Sequence, residues 1–432
     1  MLKYMKFFII TSILYITYTI NYITLKETGQ FLYQCNYFTY EYDILTVIIF
    51  YILSVPFISY ILKESTENIF SMLLSTLIIV GILPGIVVYS LSSHPSVFYF
   101  FMLFVYLIFI FSVFKTKTTL NNKKTQINTY NHEIVINTVL FKIIGFTGVL
   151  IYFYIFIKYI NILDFKPMSE VYLQRAIYKE TVSSIDGYLI MFTKNLAAFF
   201  LLILALKFRT QLYLWLIVII FTIDYALGAH KSSIFVIAFV LFYYYHLSKV
   251  DLKKYYYVYA TAVILAISLL LHYSIITDHT YLTKIVGLYD RTFHTNVGLF
   301  ARVYEYCNEF GFFYGGNGLL GKVFLNPEDA VSGTKTIGSY FFFEGVQSNT
   351  NFIANGYLNF NYIGSFFQVL ILWLLFSKKD DLIFKNNFTI MLPLIFMYSK
   401  LLTSVGIQTA LLSGGMALFV LLMKFGFKIK HI

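Results

Sequence analysis

The feature that most constrains this chain is a recurrence of apolar runs about twenty residues long. Twelve can be marked off, at 5–24, 43–62, 69–91, 96–114, 138–160, 188–206, 211–229, 232–248, 255–276, 351–376, 388–405 and 407–424. A helix needs about 20 mostly apolar residues to cross the hydrocarbon core of a bilayer. No water is available there to satisfy peptide groups, so each run must close its own hydrogen bonds as a helix. The expected fold class is therefore an all-α polytopic membrane protein with about twelve transmembrane helices. Composition agrees. Charged residues make up 12% of the 432 and mean hydropathy is +0.73, whereas soluble domains carry about 25% charged residues. Lys3 and Lys6 followed by Phe7–Ile23 have the look of a signal sequence. No small-residue cleavage site follows, so this run is expected to stay as the first span. The last two runs are separated only by Gly406 and read equally well as one broken or re-entrant unit.

Lysine and arginine set the orientation, because they are retained on the cytoplasmic side. With the N-terminus inside, eighteen of the 32 fall in short inner loops and tails, among them Lys3, Lys6, Lys63, Lys115, Lys249, Lys379 and Lys430. Both termini are then expected to be cytoplasmic. The net charge of +11 is spread over these loops and forms no patch, so nucleic acid is not an expected partner. Three features fall on the outer side: a loop at 161–187, the tight turn "LGAHKSS" at 227–233, and a loop of about 74 residues at 277–350. The last is far longer than a bundle connection requires. Its aromatic residues, glycines and helical periodicity predict a partly helical periplasmic element. The expected organisation is an N-terminal bundle of about nine helices over 1–276, this loop, and C-terminal helices over 351–432. Cys35 and Cys307 share the outer side. Pairing and two free thiols both remain open, with apolar surroundings favouring the thiols.

The most polar helix-like stretch is "DRTFHTNVGLFARVYEYCNEF", Asp290–Phe310. At about 100° per residue, Arg291, His294, Gly298, Arg302, Glu305 and Glu309 share one face, and Phe293, Val297, Phe300 and Tyr304 the other. This predicts an amphipathic helix on or between the spans. A solvated face with ion pairs such as Arg302–Glu305 would suffice to explain it. Arginine, though, offers a planar fork of donors suited to phosphate oxygens, so Arg291 and Arg302 are candidate pyrophosphate ligands. His294 is a candidate proton acceptor, and Asp290 and Glu305 are candidates to orient the arginines.

A second cluster is "DYALGAHKSSIF". Asp224 lies inside a span, where an ionisable group is expensive and marks a functional hypothesis. Lys231, one to two turns on, is its candidate partner and a third candidate anion ligand. Lys194 and Lys400, near span ends, are more readily explained by snorkelling. The third stretch, "IGSYFFFEGVQSNTNFIANGYLNFNYIGSFF" (337–367), carries Asn349, Asn351 and Asn355 where the loop re-enters the membrane. Their amides suit sugar hydroxyls, and they equally suit helix capping. Glu344 just before them is the second candidate base. The sequence holds no nucleotide-binding glycine motif and no cysteine–histidine metal pattern.

In "GAHKSSIF", "YDRTFHTNVGLFARVYEY" and "NTNFIANGYLNFNYIG" the chain resembles the Wzy-type O-antigen polymerases, the oligosaccharide repeat unit polymerases. The general plan, with many spans and a large outer loop in the second half, is similar too. Lys231 stands where relatives often have arginine. The resemblance implies a multi-pass enzyme of the bacterial inner membrane, a glycosyltransferase independent of metals and nucleotides and without a cofactor. Its donor and acceptor would be undecaprenyl-pyrophosphate-linked oligosaccharides amid membrane lipid, with a chain-length regulator of Wzz type as partner. The growing glycan would pass from its lipid pyrophosphate to the non-reducing end of an incoming unit. A flippase of lipid-linked oligosaccharides and an O-antigen ligase are the alternatives left open.

Overall fold

The computed structural model describes residues 2–29, 43–92, 102–115, 132–166, 170–277, 286, 287, 289, 292, 293, 295–314, 333–341, 351–403, 405–412 and 414–431. In chain order its elements are α1 (Leu2–Glu27), α2 (Ile44–Glu64), α3 (Ile69–Ser90), α4 (Met102–Lys115), β1 (His132–Ile136), α5 (Thr138–Lys158), α6 (Val171–Thr181), α7 (Ile185–Phe208), α8 (Gln211–Gly228), α9 (Lys231–Tyr245) and α10 (Leu252–Thr277). Then come α11 (Thr295–Phe310), α12 (Gly333–Phe341), α13 (Phe352–Leu375), α14 (Lys378–Asn386), α15 (Phe388–Leu402), α16 (Ile407–Leu412), α17 (Met416–Phe425) and β2 (Phe427–His431). Among the described residues, nine helices are long and apolar enough to cross a membrane, or ten if the bent pair α14–α15 counts as one. This is the pattern of a polytopic helical membrane protein. The run at 388–405 appears as a helix bent by 116° from the one before it, and the run at 407–424 is divided between α16 and α17. Among the described residues two strands pair antiparallel, His132 opposite His431 and Ile136 opposite Phe427.

Helix ends are fixed by short polar side chains. Asp43, Asn68 and Asn137 each accept a bond from a first-turn N–H, at Leu45, Ser71 and Leu140, which removes an orphan donor. Inside the helices, hydroxyls fold back on the preceding turn, as Thr11 does on the Phe7 carbonyl and Ser59 on that of Val55. A hydroxyl so bonded is satisfied without water.

The chain forms two compact units, interleaved in sequence. The first comprises residues 1–127, 256–382 and 398–409. Its core is α3, buried nearly throughout and interrupted by a π-turn at Ile78–Ile82. A buried polar knot ties α1 to α10: the Asn21 amide donates to Tyr289 Oη at 2.8 Å, and its carbonyl oxygen accepts from Ser268 Oγ at 2.7 Å and His272 Nε2 at 3.0 Å. At the other end Lys115 Nζ stands 3.3 Å from Asp381 Oδ1 and donates to the Phe376 carbonyl at 3.1 Å. The Ile69 N–H donates to the same Asp381 oxygen, so this carboxylate also meets the positive end of α3.

The second unit comprises residues 128–255, 383–397 and 410–432. There α5 and α7 approach closely because Gly145 and Gly148 face Leu201 and Ala197. A Cβ on Gly148 would lie 2.3 Å from that of Ala197. Gln174 on α6 donates to the carbonyls of Ile162, Ala226 and Leu227, satisfying orphan acceptors at the end of α8. Ala229 then turns the chain at φ 45°, which lets α9 start within three residues of the end of α8.

Candidate functional site

In the first unit the site is built on α11. From Val297 to Val303 this helix is buried on all sides, so it is an internal strut and not a helix lying with one face in solvent. Tyr89 on α3 donates to the Val297 carbonyl at 3.2 Å. Arg302 is only 8% exposed, with its guanidinium carbon 5.5 Å from the centre of the Phe341 ring on α12, a favourable cation–π position. Beyond Arg302 the helix emerges. Glu305 is half-buried, and Glu309 and Phe310 are exposed. Both Glu309 carboxylate oxygens lie within 3.2 Å of Tyr340 Oη, the donor. Cys307 is a free, buried thiol that burial pushes up to about 12.

Gly311, at φ 85°, ends α11 with its N–H on the Cys307 carbonyl, an αL stop that suits glycine. The next residues turn onto α13, whose run 351–376 had the length of a single span. Its path is different. Phe360 and Asn361 leave helical geometry, Asn361 at φ 57°, and the chain doubles back into two arms, 352–359 and 362–375. Gly356 and Gly364 meet where the arms touch, and Ser365 Oγ donates to the Ile353 carbonyl at 2.9 Å. In an unbroken helix residues eight apart would lie about 12 Å from each other. The first arm's orphan carbonyls at Leu358 and Asn359 accept the N–H groups of Phe313 and Tyr314. A groove of about 480 Å³ opens at this break, lined by Phe312, Tyr314, Phe360, Asn361, Ile363 and Phe367.

Asn351 serves as the N-cap of the first arm, accepting from the Ala354 N–H at 2.8 Å. Asn355 is half-buried, and its carbonyl accepts from the Asn359 amide. The side-chain Oδ1 of Asn359 is buried without a hydrogen-bond partner among the described residues. The structure thus brings Arg302, Glu305, Asn351 and Asn355 into one unit on packed helices α11 and α13. Asp290, Arg291, His294, Glu344 and Asn349 lie outside the described residues, as does Cys35.

The second unit holds its own buried charge cluster. Asp224 is 1% exposed and accepts from Lys194 Nζ at 2.9 Å, from Tyr152 Oη at 3.3 Å and from Ser233 Oγ. Among the described residues its ion-pair partner is Lys194. Lys194 does not snorkel. It sits in a π-turn at Thr193–Ala197, a wide turn often found at functional positions. Lys231 is the first residue of α9, and its side chain is outside the described set. Lys400 is exposed on α15. His230 packs its ring against Tyr178 at 5.5 Å. Burial, then the cations Lys194 and Arg175, push its imidazole down to about 4, outweighing the pull of Asp224, so it is neutral at pH 7. Arg175 Nη2 reaches the Ala229 carbonyl at 3.5 Å, and its Nε is buried without a hydrogen-bond partner among the described residues.

Sequence reasoning singled out Asp224 but not Ser233, Tyr152 or Arg175, which the fold supplies from other helices. It also passed over Tyr306, Phe310 and Tyr340. Their recurrence at i and i+4 on α11, facing an aromatic on α12, was the available signal. No family model, curated protein or solved structure matches the chain.

Proposed function

We propose that the chain polymerises oligosaccharide repeat units carried on a lipid pyrophosphate, at the outer face of a bacterial cytoplasmic membrane. The observation that carries this reading is Arg302, a guanidinium held at 8% exposure on a helix that runs outward past Glu305 and Glu309. A guanidinium keeps its charge and presents a planar fork of donors that suits phosphate oxygens. A lipid pyrophosphate offers such oxygens at the membrane surface.

In this reading an acceptor sugar hydroxyl attacks the anomeric carbon of the donor. The bond from that carbon to the pyrophosphate oxygen breaks, and the lipid pyrophosphate leaves with the electron pair. Arg302, with Arg291, stabilises the negative charge that develops there. The hydroxyl proton passes to a base, for which His294 and Glu344 are the candidates. Asn355 and the polar start of α13 lie beside α11 and would hold sugar.

The test is a lipopolysaccharide ladder from a deletion strain carrying wild type, Arg302→Lys or Arg302→Ala, with membrane protein levels matched. Wild type should restore the ladder. Arg302→Ala should leave single-unit bands, and Arg302→Lys should recover little, because a point charge does not replace a planar fork. A ladder of normal length from Arg302→Ala would sink the reading.

The pair Lys194–Asp224, buried within helices long enough to span, favours a second reading as a flippase of the same lipid-linked units. What accumulates on deletion separates the classes. Core capped with one unit indicates a polymerase, polymer left on the carrier lipid a ligase, and units trapped facing the cytoplasm a flippase.

A further inference from the structure

Tyr340 and Phe341 are consecutive on α12, and they touch α11 at two successive places. Phe341 lies against the buried Arg302 guanidinium. Tyr340 lies against Tyr306 at 5.7 Å and Phe310 at 5.0 Å, ring centre to centre, with its hydroxyl on Glu309. Tyr306 also stacks nearly parallel on Phe313 at 5.9 Å and meets Phe310 at 4.9 Å. The outer part of this cluster is open, Phe310 being 53% and Tyr340 49% exposed. Glu309 lies seven positions after Arg302, about 10.5 Å of helical rise. A buried cation thus leads, along one helix, to an aromatic shelf edged by a carboxylate.

We propose that Tyr306, Phe310 and Tyr340, together with Glu309, form a glycan subsite holding the sugar rings next to the pyrophosphate. This rests on the reading of the chain as an enzyme of lipid-linked sugars. A pyranose presents C–H bonds on its faces and hydroxyls at its rim. The C–H faces suit the negative faces of aromatic rings, and the hydroxyls suit a carboxylate that only accepts. The lipid's own hydrocarbon tail is the wrong occupant, because Glu309 would then face a medium that gives its charge no partner. The distance also fits a molecule with an anionic head followed by a short run of sugars, with the head at Arg302 and the rings at the shelf.

The test uses the full chain in lipid nanodiscs and two probes, undecaprenyl pyrophosphate and the undecaprenyl-pyrophosphate-linked repeat unit extracted from cells lacking the gene. Wild type is expected to bind the glycosylated probe about tenfold more tightly than the bare one, the scale of one or two ring contacts. Phe310→Ala and Tyr340→Ala should collapse that ratio toward one, and Phe310→Trp should keep it. Two results overturn the subsite: alanine variants that retain the ratio, which makes the rings part of an interfacial aromatic belt, or alanine variants that lose both probes equally, which makes them packing. If wild type binds neither probe, the function proposed above fails, and the subsite with it.

Discussion

Lys194 Nζ stands 2.9 Å from Asp224 Oδ2, and among the described residues the other groups bonded to that carboxylate, Tyr152 and Ser233, are neutral. Lys194 and Asp224 therefore form a buried ion pair across two helices, α7 and α8. Removing one partner of a buried pair costs more than removing both, because the survivor keeps its desolvation penalty. Lys194→Ala should destabilise the protein by about 3–5 kcal/mol. Lys194→Ala combined with Asp224→Ala should recover part of that loss. Thermal unfolding in detergent, read by size-exclusion retention, checks the order. A double variant less stable than Lys194→Ala would contradict the pairing.

His230 makes the fold sensitive to acid. Its folded value of about 4 lies below the ordinary 6.5, so the unfolded chain binds a proton that the folded one refuses. The stabilisation is complete above pH 6.5 and is lost as pH falls from 6.5 toward 4, by up to about 3 kcal/mol. His230→Gln should flatten this part of the stability profile. The expectation fails if wild type and variant lose stability in parallel between pH 7 and pH 4.5.

At the turn of α13 two glycines share a space that admits no side chain. A Cβ on Gly364 would lie 2.1 Å from the Gly356 carbonyl oxygen, a backbone atom that cannot swing away. Gly364→Ala should force the arms apart and cost at least about 2 kcal/mol. Gly187→Ala, where nothing lies within 4 Å, should be neutral or slightly stabilising. Asn361, at φ 57°, should tolerate glycine and lose about 1–2 kcal/mol as valine. Unfolding midpoints of the four variants, measured side by side, decide the point.

Cys307 is expected to resist thiol reagents. Its thiol is 2% exposed, with burial pushing it up to about 12, so almost no thiolate exists at pH 8. In a Cys35→Ser background, maleimide should label the native protein at most slowly and the unfolded protein fully. Rapid stoichiometric labelling of the native state would show that α11 is more accessible than its packing implies.

The spans were legible because length and apolarity alone decide what a helix does in lipid. The runs 43–62, 138–160 and 211–229 reappear as α2, α5 and α8 within a few residues. The fold-back of α13 was not legible, because 351–376 is apolar enough to cross without interruption. Contacts eight and twelve residues apart, at Gly356–Gly364 and Ile353–Ser365, define the break. The pairing of Asp224 with Lys194 was not legible for a similar reason. Lys231 is near Asp224 in sequence, but Lys194, thirty residues before it, is brought near by the packing of α7 on α8. Asn351 shows both sides of an open choice, since the amide weighed for sugars is occupied as a cap. The polar face of α11 was legible as a pattern, but its burial was not, because nothing in the periodicity of α11 says that a second layer, α12, covers Arg302.

The ribbon of β1 and β2 carries a further consequence for the path of the chain. A ladder of backbone hydrogen bonds cannot reach through a bilayer, so residues 132–136 and 427–431 stand in the same aqueous compartment whichever one that is. The chain that leaves β1 must return to β2 after an even number of passages. Eight of the apolar runs lie between the strands, which satisfies that parity. If the doubled-back arms of α13 enter and leave by one side, a second segment between the ribbon's strands must do the same. The pair α16 and α17, with bends at Gly414 and Gly415 before α17, is the place to look for it.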